Sequence, residues 1–135
     1  MKLIVLPEDG MGPIVAAIKK AKSTIEIVIF RFDRAQIEAA LTAAIRRGVS
    51  VSALIAYANR GGEHHLRRLE MRLLAAGASV SRTPAKLVRY HNKMMIIDGR
   101  LLFVLSFNLT HLDIDHSRAF GIATRKPKLV AEARK

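Results

Sequence analysis

Apolar and polar positions change their spacing several times along this chain, and each change marks an element. Residues 2–6 (KLIVL) are a short apolar run that reads as a strand, followed by a loop over 7–12. Pro13 suits the first position of a helix, and Ile14, Ala17 and Ile18 recur at helical spacing through about Lys22. Residues 24–31 (TIEIVIFR) alternate and are rich in β-branched side chains, which predicts a strand. Asp33 can cap the next helix, with Gln36 three residues on as in a capping box. Ile37, Leu41, Ala44 and Ile45 line one face of that helix. Gly48 ends it after Arg46 and Arg47, whose charges suit a helix C-terminus.

Residues 49–56 (VSVSALIA) read as a buried strand and 59–62 as a loop. A helix is predicted over 63–76, with Leu66, Leu69 and Leu73 inward and Gly77 closing it. Residues 78–82 form a short strand, 88–108 a β-hairpin, 118–124 (RAFGIAT) another strand, and 127–134 a last short helix. Strands alternate with helices through the first 80 residues, which implies βαβ units and a largely parallel sheet. The hairpin adds antiparallel pairing. The expected class is therefore α/β, a mixed β-sheet sandwiched between helices, in one domain over 1–135 with no repeat or linker.

Asp98-Gly99 is a strong two-residue hairpin signal, because Gly accepts positive φ at low cost. If those two residues are the loop, Ile97 pairs with Arg100, Lys93 with Val104 and His91 with Ser106. Alternation then places His91, Lys93, Ser106 and Asn108 on one face, with Met94, Ile96 and Phe103 on the other. A slip of one residue would scatter the set. These residue types suit a phosphodiester. Lys93 can neutralise a non-bridging oxygen, Asn108 can donate a hydrogen bond to another, and neutral His91 can attack phosphorus. Ser106 could steady the imidazole or bind phosphate.

Composition narrows the partners. Lys and Arg number 23 against 11 acids, a net charge of +12, which favours a polyanion: nucleic acid first, an anionic phospholipid surface second. The positive residues are dispersed, so a folded surface carries them. Arg60, Arg67, Arg68 and Arg72 form either a solvated helix face or a phosphate track. Aromatic residues are only 5%, too few to support a base-stacking platform. With no cysteine there is no disulfide or thiolate zinc site, which fits a reducing, cytoplasmic setting. No run approaches the roughly 20 apolar residues of a transmembrane helix, and the start MKLIVLPEDG has too short an apolar run for a signal peptide. His64-His65 and the pair His111 and His116 reproduce no zinc spacing, so neither metal nor cofactor is expected.

His91-x-Lys93-(x)4-Asp98, followed by Ser106-x-Asn108, resembles the HKD motif of the phospholipase D superfamily. PEDG, KKAKSTIEIVIF, AAIRRGVSVSALI and LLAAGASV extend the resemblance over nearly the whole chain. The resemblance implies an α/β sandwich, a metal-independent phosphoryl step, His91 as nucleophile, and Lys93 and Asn108 as phosphate ligands. Ser106 would support them. Asp98 belongs to the motif, although the hairpin makes it mainly a turn former. The family needs two motifs, one histidine attacking while the other acts as acid, and this chain holds one. The resemblance thus implies a homodimer sharing His91 from both chains, or one half of a longer enzyme. The chain departs from the family pattern at Leu105, usually Gly, and near Ala119, where the small nucleases carry a Glu that orients the nucleophile. The ending SRAFGIATRKPKLVAEARK resembles the first half of two-motif members. Three functions stay open: a nuclease, a phospholipase or cardiolipin synthase-like phosphatidyltransferase, and a weakly active nucleic-acid-binding module.

Overall fold

The computed structural model describes residues 1–6, 8–29, 35–55, 63–82, 93–106 and 119–133. In chain order these form β1 (Lys2–Leu6), α1 (Gly12–Lys20), β2 (Thr24–Ile29), α2 (Ala35–Arg46), β3 (Ser50–Ile55) and α3 (Glu63–Ala76). Then come β4 (Ser79–Arg82), β5 (Met94–Ile97), β6 (Leu101–Leu105), β7 (Ala119–Thr124) and α4 (Pro127–Ala133). Apart from the hairpin, whose expected ends at 88–92 and 107–108 lie outside the described residues, each of these elements lies within about two residues of its expected span. The expected caps and loops at Asp33 and over 59–62 lie outside the described residues.

One seven-stranded sheet runs in the order β1-β7-β6-β5-β2-β3-β4. β2, β3 and β4 are parallel, as βαβ connections require, and the remaining neighbours are antiparallel. The mixed sheet is the one expected. On one face, Ile25, Ile27, Met95, Ile97 and Phe103 pack with Ile14 and Ile18 of α1, Ile37 and Leu41 of α2, and Leu73 of α3. On the other, Ile96 and Leu102 pack against Val130 of α4. This second face also leaves Leu3, Val104, Phe120 and Ile122 exposed.

The hairpin turn sits where expected. Asp98 and Gly99 have φ of 55° and 64°, and the Arg100 N–H donates to the Ile97 carbonyl at 3.0 Å. The register does not follow the two-residue count. Ile97 pairs with Leu101 and Met94 with Val104, one residue away from the expected partners. Arg100 is an extra residue beside the turn, as in a bulge. The physical reason is burial. The observed register turns Phe103 (2% exposed) and Leu105 (7%) into the main core beside Met95 and Ile97. The simple count would have placed Arg100, Leu102 and Val104 there. Phe103 therefore does not share a face with Met94 and Ile96, and Lys93 opposes Leu105, whose N–H donates to the Lys93 carbonyl at 2.9 Å.

Asp98 also ties the hairpin to β2. Its carboxylate accepts the backbone N–H of Ser23 at 2.6 Å, of Lys22 at 3.0 Å and of Thr24 at 3.1 Å. Its own N–H donates to the Thr24 carbonyl at 2.8 Å. A second long-range tie comes from Arg47. Rather than serving its own helix end, its guanidinium donates to the carbonyls of Ile18 (2.6 Å) and Ala21 (3.0 Å) at the C-terminus of α1.

Burial pushes the Asp98 carboxyl up. The N–H groups of Ser23, Lys22 and Thr24 and the charge of Arg100 outweigh it, so its pKa lies below the ordinary value. Asp98→Asn is expected to lower stability by about 1–2 kcal/mol at neutral pH, measured by denaturant unfolding. Because the folded carboxyl ionises below the unfolded value of about 3.9, its contribution is fully present above that pH. It is lost as acid protonates the folded group. The difference between wild type and Asp98→Asn should be constant above about pH 5 and shrink in stronger acid.

Candidate active site

The strand directions bring one end of the sheet together. β2, β3 and β4 all finish there, because they are parallel. β5 runs against β2 and begins there, with Met94 opposite Val28. β6 ends there, and β7 begins there with Gly121 opposite Leu105. Ligands of α/β sheets bind outside the carboxyl ends of the parallel strands, which is this end.

Lys93 and Ser106 stand at this end, Lys93 immediately before β5 and Ser106 immediately after β6. They share an end of the sheet rather than a face, which corrects the expectation drawn from the two-residue turn. Lys93 is half-buried. The Ser106 hydroxyl donates to the Phe120 carbonyl at 2.7 Å and accepts the Phe120 N–H at 3.1 Å. The Ser106 N–H donates to the same carbonyl at 3.0 Å. The serine thus fastens the end of β6 to the start of β7. Its only proton is committed, which leaves it an acceptor for any further partner. His91, two residues before Lys93, and Asn108, two residues after Ser106, lie outside the described residues.

Asp98 stands at the opposite end of β5. It lies five positions along the extended chain from Lys93, about 16 Å away. Its carboxylate faces backbone N–H groups of the β2 entry. Leu105, where the family pattern has Gly, is absorbed by the main core. Ala119, near which the chain lacks the orienting acid of the family pattern, opens β7 at the same end as Ser106, opposite Leu6. The nearby Asp9 carboxylate accepts the Val5 N–H at 2.7 Å. Among the described residues no three histidine, cysteine, aspartate or glutamate side chains gather as a metal site. Nor is any described helix long and apolar enough to cross a membrane. Arg72, one of the four arginines considered for a phosphate track, pairs with Glu38 of α2 at 2.9 Å. The side chains of the other three lie outside the described residues.

Sequence reasoning missed two positioning roles. The partners of Asp98 lie 74 to 76 residues upstream, so nothing local announces them. The pair of hydrogen bonds between the Ser106 hydroxyl and the Phe120 backbone depends on the β6–β7 register, which spans a long connection.

Comparison with known proteins agrees with this fold. Residues 14–135 match a family model described as cardiolipin synthase, PLD-like domain. Among solved structures, the chain is similar to Nuc from Salmonella typhimurium, a phospholipase D family member. That match has 26% identity and a TM-score of 0.83, covering 98% of this chain and 88% of that one. NucT from Helicobacter pylori matches at 20% identity and TM-score 0.82, over 98% of this chain and 89% of that one. Polyphosphate kinase from Porphyromonas gingivalis shares the fold at 22% identity and TM-score 0.77, over 98% of this chain but 24% of its own. No curated protein matches the sequence.

Ser106→Ala removes both side-chain bonds to Phe120 at a solvent-exposed position. It is expected to cost about 0.5–1.5 kcal/mol of stability. Hydrogen exchange should locate the loosening at the Phe120 amide while the amides of β2 and β3 stay protected.

Proposed function

The chain belongs to the phospholipase D superfamily, and on that premise we propose that it is a phosphodiesterase acting on nucleic acid through a phosphohistidine at His91. In this reading a ring nitrogen of His91 attacks phosphorus, and the bond to the leaving oxygen breaks. The histidine of a second motif donates the proton that the leaving oxygen takes up. Water then attacks phosphorus, gives its proton back to that second histidine, and the phosphorus–nitrogen bond breaks. Lys93 and Asn108 hold the non-bridging oxygens, where negative charge builds in the transition state. Ser106 acts as a positioning residue: tied to Phe120, it sets where the chain leaves β6 on its way to Asn108. Asp98 acts through the register of the hairpin and touches no substrate.

The observation that carries this reading is the location of Lys93 and Ser106 together at the carboxyl end of the parallel strands, in a chain of the right family. The charge of +12 supports nucleic acid as the substrate, since a basic surface binds phosphates without reading sequence. One motif supplies one histidine, so the second comes from another copy of the chain or from a second motif-bearing half. In a two-fold dimer each chain would supply His91 to one shared site. The description of the matching family supports a second reading, in which the same intermediate is passed to a lipid alcohol instead of water.

Incubation with single- and double-stranded DNA and RNA in EDTA tests the proposal. Wild type is expected to cleave, and His91→Ala to lose cleavage entirely. Lys93→Ala and Asn108→Ala should each slow it about 10²–10³-fold. The rate should follow a bell-shaped pH profile, because one imidazole must be neutral and its mate protonated. Turnover of anionic phospholipid with nucleic acid left intact would favour the second reading. Binding without turnover of either substrate would reduce the chain to a binding module.

A further inference from the structure

The end of the sheet remote from Lys93 carries a cavity of its own, about 630 Å³. It runs between α1 and the strands β1, β7 and β6. Pro13, Ala16, Ala17 and Lys20 recur at helical spacing and form one wall, with the half-buried Leu101 and Ala123 facing it and the buried Ile4 and Phe103 behind them. Space is left there because Ala16, Ala17 and Ala123 project only methyl groups into it. The mouth is strongly basic. Lys2, Lys20, Lys22, Arg100 and Arg125 line it, all exposed and none in an ion pair with a described residue. These five are scattered from position 2 to position 125 in the sequence, and only the fold gathers them. Among the described lining residues the single carboxylate is Asp98, tied to the N–H groups of Lys22, Ser23 and Thr24 and already stabilised by the charge of Arg100.

An apolar groove with a cationic mouth suits an anion of matching polarity. We propose that this cavity is a second binding site, separate from the His91 site, for a diphosphate ester whose phosphates meet the five cations and whose less polar body lies in the groove along α1. The volume lies within the ordinary range for small-ligand sites. Arg100 and Arg125 can each present two parallel donors to phosphate oxygens, and the lysines add point charges. The body could come from a nucleoside or from an isoprenoid chain, and both present the same head.

Titration calorimetry with inorganic pyrophosphate, ADP and geranyl diphosphate tests this site on the intact chain. At least one ester is expected to bind more tightly than pyrophosphate, and the tighter of the two identifies the body. Lys20→Gln with Arg125→Gln should weaken ester binding about tenfold or more. Lys126→Gln with Lys128→Gln removes the same charge outside the cavity and should leave binding unchanged. Ala17→Phe fills the groove and should erase the preference for ester over pyrophosphate. Lys93→Ala should leave ester binding intact, which separates this site from the nuclease proposal. The inference is overturned if no probe binds, or if both charge pairs weaken binding equally. It also fails if Lys93→Ala abolishes ester binding.

Discussion

The carboxylate of Asp98 is the contact on which the arrangement of the sheet turns. It accepts three consecutive backbone N–H groups at the entry to β2 while its own backbone makes the tight turn between β5 and β6. A charged acceptor is stronger than a neutral one, and here one such acceptor joins segments about 75 residues apart in sequence. The parallel part of the sheet, built from β2, β3 and β4, is thereby locked to the antiparallel part, built from β5, β6, β7 and β1. β5 lies where the two parts meet, and its starting point decides where Lys93 stands.

From that lock the location of the candidate chemistry follows. With the turn held at one end, β5 begins and β6 ends at the other, next to the carboxyl ends of the parallel strands. Lys93 and Ser106 meet there by topology, and Ser106 is held a second time by Phe120 of β7. The constraint that gathers the motif is a shared end of neighbouring strands. A shared face would have demanded strict alternation through both strands, and the bulge at Arg100 breaks that alternation. The same architecture separates two kinds of charge. Lys93 serves the end proposed for phosphoryl transfer, while Lys2, Lys20, Lys22, Arg100 and Arg125 gather at the other.

Local signals in the chain carried most of this fold. The periodicity of Ile14, Ala17 and Ile18 marks α1, and that of Ile37, Leu41 and Ala44 marks α2, since these residues form the buried faces of both helices. Asp98-Gly99 reads directly as a turn because its backbone needs positive φ at both positions. The register next to it was not legible. It depends on whether Phe103 and Leu105 or Leu102 and Val104 enter the larger core, and all four are apolar. The motif residues announced the site by their types and spacing. What they could not announce were the long-range roles. Arg47 reaches back to the end of α1, Asp98 reaches the entry of β2, and Leu105 fills core where a glycine was expected.

The central claim is that this end of the sheet carries half of a phosphoryl-transfer site whose nucleophile is His91. The most direct measurement is trapping of the covalent intermediate. The protein would be mixed with a short oligonucleotide, quenched in alkali, where phosphohistidine survives, and digested for peptide mass spectrometry. The account predicts a nucleotide adduct on the peptide containing His91 and on no other histidine. An adduct on His64, His65, His111 or His116 instead, or turnover with no covalent intermediate at any residue, would contradict it.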